Sequence, residues 1–188
     1  TEVGLLIIAG IDYSISSPCI CIHKDGDINP NNCTFSFFAL DKWRDRWSAI
    51  QNVKCYKLPK ELKDLEKYTY LAEWVIEQLR WYNGRVQEVF LEDYSFGSTG
   101  RVFHMAENVG ILKYFLRKEG FNLTTFAPTT IKKFATGKGN SKKEAMLEAW
   151  KSEKNTFQLV QEAGNPGSDI VDSYFICKYG LSQHQQTD

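Results

Sequence analysis

The order of short apolar runs and helix-like repeats along the chain is the feature that most limits its fold. Three apolar runs come first, over residues 5–9, 19–23 and 34–40, and turn-forming residues separate them. Runs of this length with short connections are typical of consecutive antiparallel strands. Beyond residue 58 apolar residues recur at helical spacing instead. The sequence therefore predicts an antiparallel start followed by strand–helix units.

The rest of the chain alternates helices and strands. The predicted helices cover residues 59–82, 102–118 and 142–151, with a short helix after Pro128 and a last helix from Asp169. The predicted strands cover residues 86–91 and 122–126. This order predicts an α/β protein with the mixed five-stranded sheet of the RNase H-like fold, flanked by helices. We expect a single RNase H-like domain over residues 1–181 and a polar tail over residues 182–188.

Residues 41–55 fit this order least well. Trp43 and Trp47 lie one helical turn apart, with Arg44 and Arg46 between them. This segment is either a basic patch that stacks on nucleic-acid bases or an insertion whose aromatic side chains pack on the domain. We favour the second interpretation, and the sequence leaves both open.

Four acidic residues fall where strand ends and a helix face would bring them together. Asp12 and Glu92 each end an apolar run, and Asp169 and Asp172 open the last helix on one face. Carboxylates gathered from distant parts of a chain repel one another, so folds usually gather them around a hard divalent cation such as Mg²⁺. Two such ions, about 3.5–4 Å apart, can hold the attacking and leaving oxygens of a phosphodiester. The sequence therefore predicts a metal-dependent nuclease.

The choice between Glu92 and Asp93 stays open, because the alternation of a short strand does not decide which side chain points inward. A zinc site formed by Cys19, Cys21 and His23 is a weaker interpretation, since no second ligand cluster accompanies these residues. Buried thiols explain the cysteines better.

Composition limits the location more than the partner. Lys plus Arg and Asp plus Glu number 23 each, so a nucleic-acid partner requires local basic patches. Five cysteines without paired Cys-x-x-Cys spacing favour a reducing compartment. No run reaches the roughly 18 apolar residues of a membrane span. We therefore expect a soluble, cytoplasmic protein without a signal peptide or a membrane partner.

Four segments resemble, in order, the motifs of RuvC-type Holliday junction resolvases: residues 10–12, 91–94, 136–144 and 168–173. The resemblance extends over nearly the whole chain. It implies a homodimer that binds a four-way DNA junction and nicks two strands symmetrically, with two Mg²⁺ ions in each active site and Mn²⁺ as a substitute. Residues 41–55 depart from the compact bacterial pattern, which suits a phage, viral or organellar relative. Such a relative would act in the host-cell cytoplasm or an organelle.

The resemblance also implies roles for individual residues. Asp12, Glu92, Asp169 and Asp172 would be the metal-binding catalytic acids, with Lys143 beside them. The expected DNA contacts are Lys132, Lys133, Lys138, Lys142, Lys143, Arg101 and an aromatic wedge at Tyr94 or Phe96. Part of the helix over residues 102–118 would lie in the dimer interface. Other branched DNA, RNA–DNA hybrids and non-catalytic junction binding stay as alternatives, because a fold does not fix a substrate.

Overall fold

The computed structural model describes residues 5–80, 86–94, 102–154, 156–157, 160 and 164–187. A mixed sheet of six strands forms its centre, in the order β4-β3-β2-β1-β5-β6. The strands are β1 Ile7–Asp12, β2 Cys19–His23, β3 Cys33–Phe38, β4 Val53–Tyr56, β5 Val86–Glu92 and β6 Asn122–Phe126. Only β2 runs against its neighbours. The other strands therefore all end at one side of the sheet, which we call the carboxyl edge.

The sixth strand corrects the predicted count of five. Residues 41–55 contain α1 (Asp41–Ser48) and β4, and β4 pairs in parallel with β3. The strand escaped the sequence pattern because it has only four residues, of which Val53 alone is buried. The preferred interpretation of the segment as a packed insertion holds for Trp47, which is buried with its ring edge-on to Phe37 at 5.4 Å.

Helices cover both faces of the sheet. The helices α2 (Leu65–Arg80) and α3 (Val102–Lys118) pack on one face, and α4 (Pro128–Thr136), α5 (Lys143–Lys151) and α6 (Gly167–Gln186) lie on the other. α2 begins later than the predicted residue 59. α6 continues through Gln186, so most of the expected polar tail is helical. In the part of the chain that the structure describes, no helix has the length and apolar character that crossing a membrane requires.

Two glycines let α6 lie directly on the sheet. A Cβ at Gly10 in β1 would stand 2.6 Å from the carbonyl oxygen of Ser173 and would also overlap the backbone nitrogen of Cys177. A Cβ at Gly180 in α6 would overlap the ring of Phe90 in β5. Because α6 touches β1 backbone to backbone, the first turn of the helix is held at a fixed height above the end of β1.

Candidate metal centre

The alternation of side chains along the strands points Asp12 and Glu92 to the same face of the sheet. In β1, Ile8 packs into the core on the α6 face, so Asp12, four residues on, lies on that face too. In β5, Phe90 packs on the α6 face, and Glu92, two residues on, lies on the same face. Ile11 pairs with Leu91, which makes Asp12 and Glu92 neighbours at the ends of adjacent strands.

The first turns of α6 place the other two acids above this point. Asp169 and Asp172 lie three residues apart in the helix, and Asp169 is buried. Ser173 Oγ donates a hydrogen bond to Cys19 Sγ at 3.3 Å, and Cys19 stands opposite Asp12 in the β1–β2 register. This contact fixes the start of α6 over the end of β1. The structure thus brings all four predicted acids together.

Burial raises the pKa of every acid in this group, and repulsion from neighbouring carboxylates adds to the rise for Asp12, Glu92 and Asp172. Loss of hydration, followed by repulsion from Asp172, raises the pKa of Glu92 to about 7. Burial and the nearby Asp169 raise the pKa of Asp172 to about 7. Burial also raises the pKa of Asp169 to about 6, although hydrogen bonds with Asp12 and Ser17 oppose that rise. The pKa of Asp12 lies well above its usual range, first because of burial and then because of repulsion from the other three acids.

This donor set fits a hard divalent cation. The Oδ2 atom of Asp169 is buried, and no hydrogen-bond donor reaches it among the described residues. A cation placed between these four buried carboxyl groups would stabilise their ionised forms. Within the described ranges, no group of three or more His, Cys, Asp or Glu side chains already stands in metal-ligating geometry. The acids therefore lie within electrostatic reach of one another without forming a closed ligand shell.

Two lysines complete the charge distribution. Lys132 in α4 lowers the pKa values of Glu92 and Asp172, and Lys143 at the start of α5 lowers those of Asp169 and Asp172. Residues 137–142 join α4 to α5. Gly137, the first of them, has a positive φ of 86° and ends α4. Lys133, Lys138 and Lys142, the other predicted DNA contacts in this region, are exposed.

The structure places Glu92, and not Asp93, with the other acids. The carboxylate of Asp93 forms an ion pair with Lys113 Nζ in α3 at 3.6 Å and accepts a hydrogen bond from the backbone N–H of Tyr94 at 3.0 Å. Lys113 Nζ also lies 5.7 Å from the centroid of the Tyr94 ring, which packs partly buried on the α2 and α3 core. The proposed wedge role of Tyr94 stays a prediction, and Phe96 and Arg101 lie outside the described residues.

Ser17 is a contact that the sequence argument did not single out. Its hydrogen bond with Asp169 helps to hold that carboxylate on the acid group. The only sequence signal for it was a small polar stretch directly after β1.

The structure does not support a zinc site at Cys19, Cys21 and His23. Cys19 and Cys21 are buried in the core. The two ring nitrogens of His23 lie 3.3 Å from the carbonyl oxygen of Asn32 and 3.1 Å from that of Gly26. His23 therefore holds the turn after β2, and its ring nitrogens are engaged by backbone carbonyls.

A mixed sheet in this order, with helices on both faces and acids at its carboxyl edge, defines an RNase H-like α/β protein. The predicted fold class is confirmed, apart from the number of strands. No family model matches the sequence, and no curated protein matches it.

Solved structures share this fold. Thermus thermophilus RuvC is similar with a TM-score of 0.64 at 15% identity, and the match covers 97% of both chains. The yeast mitochondrial Holliday junction resolvase is similar with a TM-score of 0.53 at 10% identity, over 96% of this chain and 82% of that one. The fowlpox virus resolvase in complex with Holliday junction DNA is similar with a TM-score of 0.50 at 16% identity, over 95% and 99%. The chain thus has the fold of RuvC-type resolvases over nearly its whole length.

The raised pKa values predict how stability depends on pH. Unfolded Asp and Glu ionise near pH 4, whereas the folded acids keep protons up to about pH 6 to 7. Their contribution to stability is fully present below about pH 4 and is lost as pH rises through 6 to 7. In EDTA we expect Tm to fall by about 5 °C or more between pH 5 and pH 8.

Thermal unfolding at a series of pH values, with and without Mg²⁺, checks this prediction. Mg²⁺ should recover most of the loss at pH 8, because cation binding favours the ionised acids. The double variant Asp12→Asn/Asp172→Asn should show a weaker pH dependence. A Tm that stays level or rises up to pH 8 in EDTA would contradict the electrostatic description.

Proposed function

We propose that this protein is a metal-dependent endodeoxyribonuclease that resolves four-way DNA junctions. One observation carries the proposal: Asp12, Glu92, Asp169 and Asp172 converge at the carboxyl edge of a sheet whose fold is that of RuvC-type resolvases. Two lysines accompany the acids, as a site for a phosphodiester requires.

The four acids would hold one or two Mg²⁺ ions. Bound there, the ions would polarise a phosphoryl oxygen and lower the pKa of water. Asp12 is the central member because its carboxyl group interacts with each of the other three acids. Lys132 and Lys143 would bind non-bridging phosphate oxygens and offset the negative charge that grows as the bond to the leaving oxygen breaks. Metal binding requires deprotonated acids, so it releases protons at neutral pH.

Support for a junction substrate comes from proteins of the same fold. Thermus thermophilus RuvC has been solved with a Holliday junction substrate and the fowlpox virus resolvase with junction DNA. The present chain spans nearly the full length of both, so it has room for the same elements around the acids. We infer that its substrate is branched DNA.

We also propose a homodimer built on α2 and α3. Three large apolar side chains on these helices are exposed: Leu65 by 66%, Phe103 by 76% and Tyr114 by 63%. Leu65 and Tyr114 line one groove between the two helices. Exposed apolar side chains gathered on one surface are a feature of protein interfaces, and they are the basis of this proposal. A twofold dimer would present two metal centres to one junction.

Charge placed on this surface should separate the subunits. We expect Phe103→Glu/Tyr114→Glu to run at the mass of one chain, 21.6 kDa, while the wild type has twice that mass. Size-exclusion chromatography with light scattering at several concentrations measures this. Leu40→Glu, which changes an equally exposed apolar residue elsewhere, should remain dimeric. A double variant that keeps the wild-type mass would place the interface on another surface.

The test of the proposed function is Mg²⁺-dependent cleavage of a synthetic four-way junction, with the cut sites mapped on all four strands. Paired, symmetric nicks are the expected result. A fork, a plain duplex and an RNA–DNA hybrid serve as competing substrates. Preferential cleavage of one of these would identify a nuclease of different specificity on the same scaffold, and junction binding without any cleavage would identify a non-catalytic module.

A further inference from the structure

A groove opens beside the acids at the carboxyl edge. It encloses about 770 Å³ and lies between Ser16 and Ser17 after β1, the segments that follow β3 and β4, and Pro166 before α6. Ser17 forms a hydrogen bond with Asp169, one of the four acids. The groove therefore adjoins the candidate metal centre through Ser17. Its far wall is α1, in the segment that adds the sixth strand.

The lining of this groove is positively charged. It contains Lys42, Lys57, Lys60 and Lys67, and Asp41 is the acidic residue among its described lining residues. The carboxylate of Asp41 is already paired with Arg44 at 3.0 Å and Lys57 at 3.5 Å. Because the whole chain has no net charge, the lysines form a local excess that complements a polyanion.

One exposed aromatic side chain, Trp43, lies among the lysines of this groove. Trp43 lines the groove and is 42% exposed. Lys42 Nζ lies 5.3 Å and the guanidinium carbon of Arg46 5.8 Å from the centroid of its ring. Sites for single-stranded nucleic acid combine an exposed ring that stacks on a base with cations that bind the adjoining phosphates. Trp47, one turn further along α1, is buried and serves the core instead.

We propose that this lysine groove binds a DNA strand that leaves the metal centre, with backbone phosphates on Lys42, Lys60 and Lys67 and an unpaired base stacked on Trp43. The inference rests on the proposed function and extends it to a second contact surface. That surface is separate from the acids and from the lysines of α4 and α5. The segment containing α1 and β4 thereby contributes to substrate binding as well as to the sheet.

Salt-dependent binding tests the phosphate contacts. In an Asp12→Asn background, the affinity for a fluorescent four-way junction is measured by anisotropy between 50 and about 200 mM NaCl. Adding Lys42→Gln/Lys60→Gln/Lys67→Gln should weaken binding about 10- to 100-fold and reduce the slope of log K against log salt by about 2 to 3. Lys24→Gln/Lys118→Gln/Lys151→Gln removes the same charge from exposed positions outside the groove. This control should leave the slope close to that of the parent.

The outcomes separate the groove from the proposed function. If the two triple variants have the same slope of log K against log salt, the groove does not bind DNA. The proposed function would still hold if the wild type cleaves the junction. A background variant that binds no DNA at all, together with a wild type that cleaves none, would overturn both. Circular dichroism melting of each variant shows that it is folded.

The stacking contact has its own test. Trp43→Ala should weaken binding to a junction with unpaired bases at its centre about 5- to 50-fold, whereas Trp43→Phe should keep most of the affinity because it retains a ring. A fully paired duplex should bind both variants alike. If Trp43→Ala binds the open junction as tightly as the parent does, the stacking role is excluded.

Discussion

Asp12→Asn should lower the rate of junction cleavage by about 10³-fold or more while binding to the junction persists. Asp12 ends the central strand β1, and its carboxyl group interacts with all three other acids. The substitution keeps the shape of the side chain but removes the negative charge on which cation binding depends. Binding should persist because the lysines that we propose as phosphate contacts are unchanged. Single-turnover cleavage and anisotropy binding measure the two quantities separately.

Asp93→Asn is the matched control for this substitution. It makes the same chemical change in an acid that pairs with Lys113 and lies apart from the acid group. We expect cleavage within about threefold of the wild type, because Asp93 lies apart from the acids and a half-exposed ion pair contributes little to stability. If Asp12→Asn cleaves nearly as fast as Asp93→Asn, Asp12 has no part in the reaction.

Gly10→Ala should reduce the free energy of unfolding by about 3 kcal/mol or more. The added methyl group would meet the backbone of α6 at Ser173 and Cys177, where no side-chain rotation can relieve the overlap. α6 must therefore shift away from β1, and it carries Asp169 and Asp172 with it. We expect cleavage to decline together with stability. Denaturant unfolding in EDTA at one protein concentration measures the free energy.

Gly110→Ala provides the comparison. Gly110 lies in α3, and an added Cβ there would meet nothing within 4 Å in the single chain. Because Gly110 lines the proposed dimer groove, both substitutions are compared in the Phe103→Glu/Tyr114→Glu background, where no partner covers that groove. Alanine favours the helix over glycine, so we expect no loss of stability and a gain of up to about 1 kcal/mol. A Gly10→Ala protein as stable as the Gly110→Ala protein would show that α6 does not rest on β1 as described.

The succession of strands and helices along the chain could be predicted from the sequence, because most strands are short apolar runs bounded by turn residues. β1, β2, β3 and β5 are mostly buried, so their pattern is strong. β4 is a half-buried strand of four residues that exists because it pairs with β3. That pairing is a tertiary contact, and local sequence carries little trace of it.

The acids could be predicted as a group because strand ends and the first turn of a helix leave few positions for them. The distinction between Glu92 and Asp93 required the structure, since it depends on which face of β5 packs against α6. The lysine groove could also be recognised only in the structure. Lys42, Lys60 and Lys67 belong to three segments whose proximity follows from the placement of α1 and β4 at the same sheet edge.

The sixth strand also changes how the molecule meets copies of itself. β4 forms one border of the sheet, and the edge strand of a sheet is where a second molecule can add a strand. At four residues it offers a template too short for a lasting intermolecular ladder, which is one way in which natural proteins resist aggregation. Strand addition at this border is thereby disfavoured, which agrees with placing the proposed dimer contact on the helical surface of α2 and α3, where side-chain complementarity would select the partner.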